Sequence, residues 1–234
     1  MRIKILLMLL LSVFLLQNCS SKVKIASVAT SNQKQDYDGN IISEKKHVVT
    51  MSHYKAIPLA KGKTIFLMLL ENGSESPVKI SKDNLSVVFE GASEGWTYKK
   101  IKILSYDEFS KDLERDYYNE ETRLISDIIR RVDTTARSIE NKENDGQKRN
   151  TASMFEIRLY NTVYTIENLH KHMKQLKGLL PDLVLKPMTV LPGESISVIV
   201  VCDTKDLPKE LTGNFQVDLS IDGEDHEFTF KRSI

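Results

Sequence analysis

The sequence predicts a mainly β fold with an α insertion: a β-sandwich interrupted by a long α-helical hairpin. Three observations predict it. Short β-branched and aromatic runs, separated by turn residues, occur both before position 105 and after position 182. Between them the apolar spacing changes to steps of three and four. Near the end, Phe215, Val217, Leu219 and Ile221 alternate with Gln216, Asp218 and Ser220, as in a strand with one wet face. With 234 residues, 41% hydrophobic and 28% charged, the composition is that of a folded chain and excludes a collagen or a polytopic membrane protein.

Residues 1–18 read as a secretory signal. Arg2 and Lys4 form a basic start, and an apolar run over 5–16 follows, broken only by Ser12. Twelve helical residues reach about 18 Å against a hydrocarbon core of about 30 Å, too short for a permanent span. Leu16-Gln17-Asn18-Cys19 comes next. This segment resembles the lipobox of bacterial lipoproteins, with Leu16 at the leucine position, Cys19 at the lipidated cysteine, and Asn18 where Gly, Ala or Ser is usual. The resemblance implies cleavage before Cys19, acylation with palmitate-type chains, and a lipid anchor in the cell envelope. Ser20 after the cysteine implies the outer membrane under the sorting rule of such proteins. One acyl chain holds a protein only marginally, whereas two or three give long residence.

Residues 19–46 contain few large apolar side chains and no period of 2 or 3.6, so they read as the lipidated terminus and a flexible tether of roughly 25–30 Å. The folded part is then expected over 47–234. Strands are expected at 47–51, 63–70, 77–80, 85–90 and 96–104, the second apolar on both faces as in a central strand.

Ser105-Tyr106-Asp107-Glu108 has the form of a capping box. Apolar residues then recur from Tyr106 to Ile139, predicting an amphipathic helix of about 30 to 35 residues. The polar run 141–150 predicts a loop. A second helix is expected from about Ala152 to Lys177, ending at Gly178 ahead of Pro181. Alternation of Phe155, Ile157, Leu159 and Val163 leaves a strand at 154–164 as the alternative. The insertion thus spans about 105–180. The first helix starts acidic, while the second ends with His170, Lys171, His172, Lys174 and Lys177, so an antiparallel hairpin would bring opposite charges together.

Strands follow at 183–185, 188–191, 195–202, 214–221 and 227–231, with turns at Pro192-Gly193-Glu194 and Asp222-Gly223-Glu224. Leu191-Pro192-Gly193-Glu194 and Phe228-Thr229-Phe230 loosely resemble an immunoglobulin-like bacterial envelope domain, which implies an immunoglobulin-like sandwich.

Recognised nucleotide, hydrolase and zinc motifs do not occur. His170 and His172 lie two apart, about 200° around a helix, and on a helix cannot share a metal. His47, His53 and His226 read as surface or edge residues. Cys202 closes a valine-rich run that offers no base to activate it, so a buried, inert thiol is expected. No cofactor or metal is expected. The near-balance of 33 bases and 32 acids gives no steering field for nucleic acid. Removing residues 1–18 takes Arg2 and Lys4 and leaves 31 bases against 32 acids.

The function expected is that of a non-catalytic, membrane-anchored binding module with another envelope protein as partner. The hairpin is the expected contact surface, through Tyr117, Tyr118, Ile128, Ile129, Arg130 and Arg131. The alternatives are an envelope hydrolase with a site assembled from scattered residues, recognisable by a deep pocket lined by two or more of His47, His53, His170 and Asp203, and an apolar-ligand carrier with a cavity between sheet and hairpin.

Overall fold

A computed structural model describes residues 23–54, 57, 60–92, 98–140 and 145–234; the side chains of 136, 138–140, 145–152 and 155 are not described. The signal segment, the lipobox with Cys19, Trp96 and the loop at 141–144 lie outside the described residues.

Two antiparallel sheets pack face to face. Strands β1 (Lys24–Val28), β7 (Leu85–Gly91), β8 (Lys99–Lys100), β12 (Gly213–Ile221) and β13 (Glu224–Ser233) form one, in the order β1-β13-β12-β7-β8. The other runs β2-β3-β4-β5-β11-β9, from β2 (Lys34–Gln35), β3 (Ile41–Glu44), β4 (Val48–Tyr54), β5 (Lys63–Glu71), β9 (Lys102–Ile103) and β11 (Ser195–Asp203). A short pair, β6 (Val78–Ile80) with β10 (Met188–Val190), completes the strands. Between β9 and β10 the chain forms α1 (Tyr106–Glu140) and α2 (Asp145–Leu183). The expected sandwich with a helical hairpin inserted between its strands is the observed architecture.

The core lies between the sheets because each strand alternates its side chains between two faces. Phe66, Met68 and Leu70 of β5 and Val198, Val200 and Cys202 of β11 meet Phe89, Phe215, Val217, Phe228 and Phe230 across the interior. On the opposite face of β5 and β11, Ile65, Ile199 and Val201 are buried under Phe109 and Leu113 of α1 and Met173 and Leu180 of α2. Where the hairpin base lies, over 65–67 and 199–201, both faces of these two strands are covered, which explains their continuous apolar sequence there; further along, Leu69 is exposed. The closing hairpin turns on Asp222 and Gly223, at φ 50° and 77°. Positive φ at both central residues defines the type I′ turn that suits the twist of two strands, and glycine takes it without strain.

Four expectations are corrected. The stretch expected as a tether folds from Lys24 onward, since β1 pairs with β13 from Lys24↔Ser233 to Val28↔Thr229. Its polar composition hid it because an edge strand is held by backbone bonds and needs only one inward face, here Ile25 against the core. The β-domain therefore begins at 24, not 47. Strand 96–104 is split into β8 and β9 around buried Ile101, whose N–H donates to the Val87 carbonyl.

The second helix begins at Asp145, runs helically through 154–164, and passes Gly178 and Pro181 to end at Leu183. Buried Leu180 and Val184 keep the chain on the sheet there, and a proline in the last turn forfeits a single backbone bond. Of the strand expected at 183–185, one parallel bridge, Val184↔Ile199, is present.

Candidate partner surface on the helical hairpin

The hairpin leaves the sandwich from a fixed base. At its start the Ser105 N–H donates to Glu108 Oε2 at 2.9 Å and the Glu108 N–H to Ser105 Oγ at 3.3 Å, the capping box read from the sequence. Lys102 and the Ser105 N–H hold the Glu108 carboxyl down at about 2. Beside it, the Lys63 side chain of β5 is 2% exposed and sits between Asp112 of α1 at 2.7 Å and Asp203 of β11 at 3.1 Å. Burial pulls the Lys63 ammonium down, but the hydrogen bonds it donates to Asp112 and Asp203 outweigh this and leave the group raised. Arg115 on Asp112 and Lys205 on Asp203 complete a five-member charge network that ties the hairpin to the sheet.

Further out the helices bind each other. Lys177 pairs with Glu114 at 2.8 Å and His170 with Glu121 at 2.8 Å, so the acidic start of α1 does meet the basic end of α2. Tyr117 stacks against His170 with ring centroids 5.7 Å apart. Lys61 reaches Glu120 at 3.2 Å, and Arg123 and Lys61 together hold Glu120 at about 2.

Six positions were expected to touch a partner, and they divide. Tyr117 and Ile128 are half-buried. Tyr117 packs on the second core, and together with Leu124 the pair lies along the α1 seam that faces α2. These two hold the hairpin together instead of projecting from it. Tyr118 and Ile129 are 66% and 64% exposed. Arg130 and Arg131 are exposed, Arg130 paired with Asp127 at 3.0 Å. Tyr118, Ile125, Ile129 and Val132 follow one another at steps of seven, four and three, forming a second apolar stripe beside the seam.

The sequence reading missed Ile157, Tyr160 and Tyr164 of α2, all more than half exposed. Their signal was present in the alternation at 154–164: apolar residues on more than one helix face mean more than one covered face. A groove of about 560 Å³ between the helices is lined by Tyr117, Tyr118, His170, Met173 and Lys174 among others.

The residues proposed for catalysis do not converge. Asp203 is in the Lys63 network, His170 is on the hairpin, and His53 packs edge-on to Phe66, ring centroids 6.3 Å apart. Space between sheet and hairpin base is filled by the second core cluster. Among the described residues, no group of three metal-ligating side chains occurs. Cys202 is a buried free cysteine whose thiol burial pushes far up.

His47 and His226, expected at the surface, are both 0% exposed. They lie under a clamp between opposite sheets at the end remote from the hairpin. The β3–β4 turn supplies Lys46, whose ammonium donates to Asp222, and the Lys46 and His47 N–H groups, which donate to Glu224. Beneath it, His226 Nδ1 is 2.9 Å from Ser43 Oγ and its Nε2 is 3.7 Å from Glu224, while His47 Nε2 is 3.6 Å from Asp222. The order serine, histidine, carboxylate resembles a hydrolytic relay, but Ser43 and both rings are sealed inside the sandwich. The sequence hid this because both histidines sit next to turns, and turn residues usually face water.

Burial, and then repulsion from Lys45, lower the affinity of His226 for a proton. The unfolded chain takes up that proton as pH falls through about 6.5, before the folded chain does, so folding stability falls with pH from that point. Urea midpoints measured between pH 7.5 and pH 5 should show the decline, and His226→Gln should flatten it; an unchanged slope in the variant would assign it to other groups.

Neither a family model, nor a curated protein, nor a solved structure matches the chain.

Proposed function

We propose that this is a membrane-anchored envelope lipoprotein that acts by binding, with the sandwich as a rigid mount and the helical hairpin as its contact surface. One observation carries the reading. The outer half of a 35-residue helix paired with a 39-residue helix exposes Ile129, Ile157, Tyr160 and Tyr164, which the sandwich's own core does not use. Large apolar side chains grouped on a projecting element mark a docking surface, whereas single ones scattered over a protein do not. The lipobox-like start and Cys19 supply the anchor, and an outer-membrane location follows from Ser20 under the rule given above.

Two experiments in cells test the two halves. Labelled palmitate should enter the wild-type protein and not Cys19→Ser; equal labelling ends the anchor reading. A photoreactive side chain at position 129 should form adducts, whereas one at exposed Lys82, in the turn that leads into β7, should not. No adduct at 129 ends the hairpin reading.

A further inference from the structure

The partner of the hairpin follows from where the chain enters the sandwich, given the lipid-anchored Cys19 proposed above. Lys24 pairs with Ser233, so β1 begins at the end of the sandwich where β13 finishes. At that same end β5 begins at Lys63 and β11 finishes at Asp203, and the hairpin leaves there. Leu104 bonds to Val201, Asp112 reaches Lys63, and Glu120 reaches Lys61 about two turns further out. Beyond Glu120, α1 continues to Glu140, about 30 Å more.

Cys19 is five residues from Lys24, which fully extended span at most about 18 Å. A lipidated Cys19 therefore holds this end of the sandwich closer to the bilayer than the hairpin is long. The hairpin cannot pass through, since no helix among the described residues is long and apolar enough to cross a membrane. Lying along the surface gives it room.

Its outer half is suited to that position. Ile125, Ile129 and Val132 of α1 and Ile157, Tyr160 and Tyr164 of α2 are exposed there. Tyrosine prefers the headgroup layer, where its ring is dry and its hydroxyl wet. Three of the neighbouring arginines are paired within their own helix: Arg123 with Glu120 and Asp127, Arg130 with Asp127, Arg137 with Asp133; Arg131 and Arg158 are exposed beside them. Such paired charges cost less near lipid than free ones and give little attraction to anionic headgroups.

We propose that the outer half of the hairpin lies in the headgroup layer of the same membrane that holds Cys19, so that the protein grips one bilayer at two points. The anchor makes this second contact intramolecular, so a modest apolar surface is enough.

The test uses the mature lipidated chain in vesicles of phosphatidylethanolamine and phosphatidylglycerol. An environment-sensitive fluorophore is placed at Ile157→Cys or, as a control, at Lys82→Cys, and the vesicles carry nitroxide-labelled lipid. Both positions are exposed, so neither label disturbs the core. Emission from 157 should fall about twofold with nitroxide lipid, persist on raising the salt concentration, and be matched by no quenching at 82. Absence of quenching at 157 in a palmitate-labelled protein overturns the inference and leaves a protein partner at the hairpin, with the anchor intact. Quenching at both positions also overturns it, because the whole body then lies on the membrane. Palmitate entering Cys19→Ser equally removes the anchor, and the inference falls with it.

Discussion

Phe66→Ala is expected to lower the folding free energy by about 3–5 kcal/mol, the range for truncating a buried phenylalanine. The ring is 0% exposed and sits where the sheets meet, 4.7 Å from the Phe230 ring centroid and 6.0 Å from that of Phe215. Removing it opens a cavity walled by residues of both sheets. The strands cannot close it without breaking register with β4 and β11 on either side. The melting temperature should drop by about 10 °C for a domain of this size. Phe66→Leu, which keeps most of the volume, should lose less than half as much. A loss under about 1 kcal/mol for the alanine variant would mean that the sheets are not packed through this residue.

Lys63→Met should have the second largest effect, about 2–3 kcal/mol, and it should be felt mainly in the hairpin. The substitution preserves the apolar stem but leaves Asp112 and Asp203 facing each other without their shared cation. Both carboxylates are partly exposed and keep Arg115 and Lys205 respectively, which is why the cost sits below that of a fully buried broken pair. Amide hydrogen exchange in the first turns of α1 should accelerate more than in β12 and β13, because the broken contact joins helix to sheet. Pairing Lys63→Met with Asp112→Asn should recover part of the loss. Burial raises the Asp112 and Asp203 carboxyls, but Lys63 outweighs it and holds both below the usual range. Their stabilising effect is therefore complete above about pH 4 and is lost as pH falls further. Uniform exchange across the protein would show that Lys63 does not dock the hairpin.

The parts legible in the sequence are those with a period. The closing β-hairpin, the central strands β5 and β11, and the α1 start at Ser105 each carry a local signal, respectively two-residue alternation, an unbroken apolar run and a capping box. β1 carries none. Five residues with one apolar side chain turned inward look like linker until β13 supplies a backbone edge for them. Gly178 and Pro181 illustrate the reverse case, a strong local stop overridden by the burial of Leu180 and Val184. Charge was informative for the pairing of α1 and α2 but silent on which apolar residues stay uncovered. Tyr117 and Tyr118 are neighbours in sequence, and only the placement of α2 decides that the first is seam and the second is surface. The buried histidines were unreadable for a similar reason, because the clamp above them joins turns about 180 residues apart.

The correction at β1 has the widest reach. With a tether of 27 residues the folded body would stand off the membrane and the hairpin could point anywhere; with five, a lipidated Cys19 would tie its position to the bilayer. Both the anchor and the position of the hairpin depend on Cys19, so the most direct measurement is the mass of the amino-terminal peptide of the protein purified from membranes. The mature chain should begin at Cys19 and carry a diacylglyceryl group on sulfur. A mature chain beginning elsewhere, or an unmodified Cys19, would contradict the anchor.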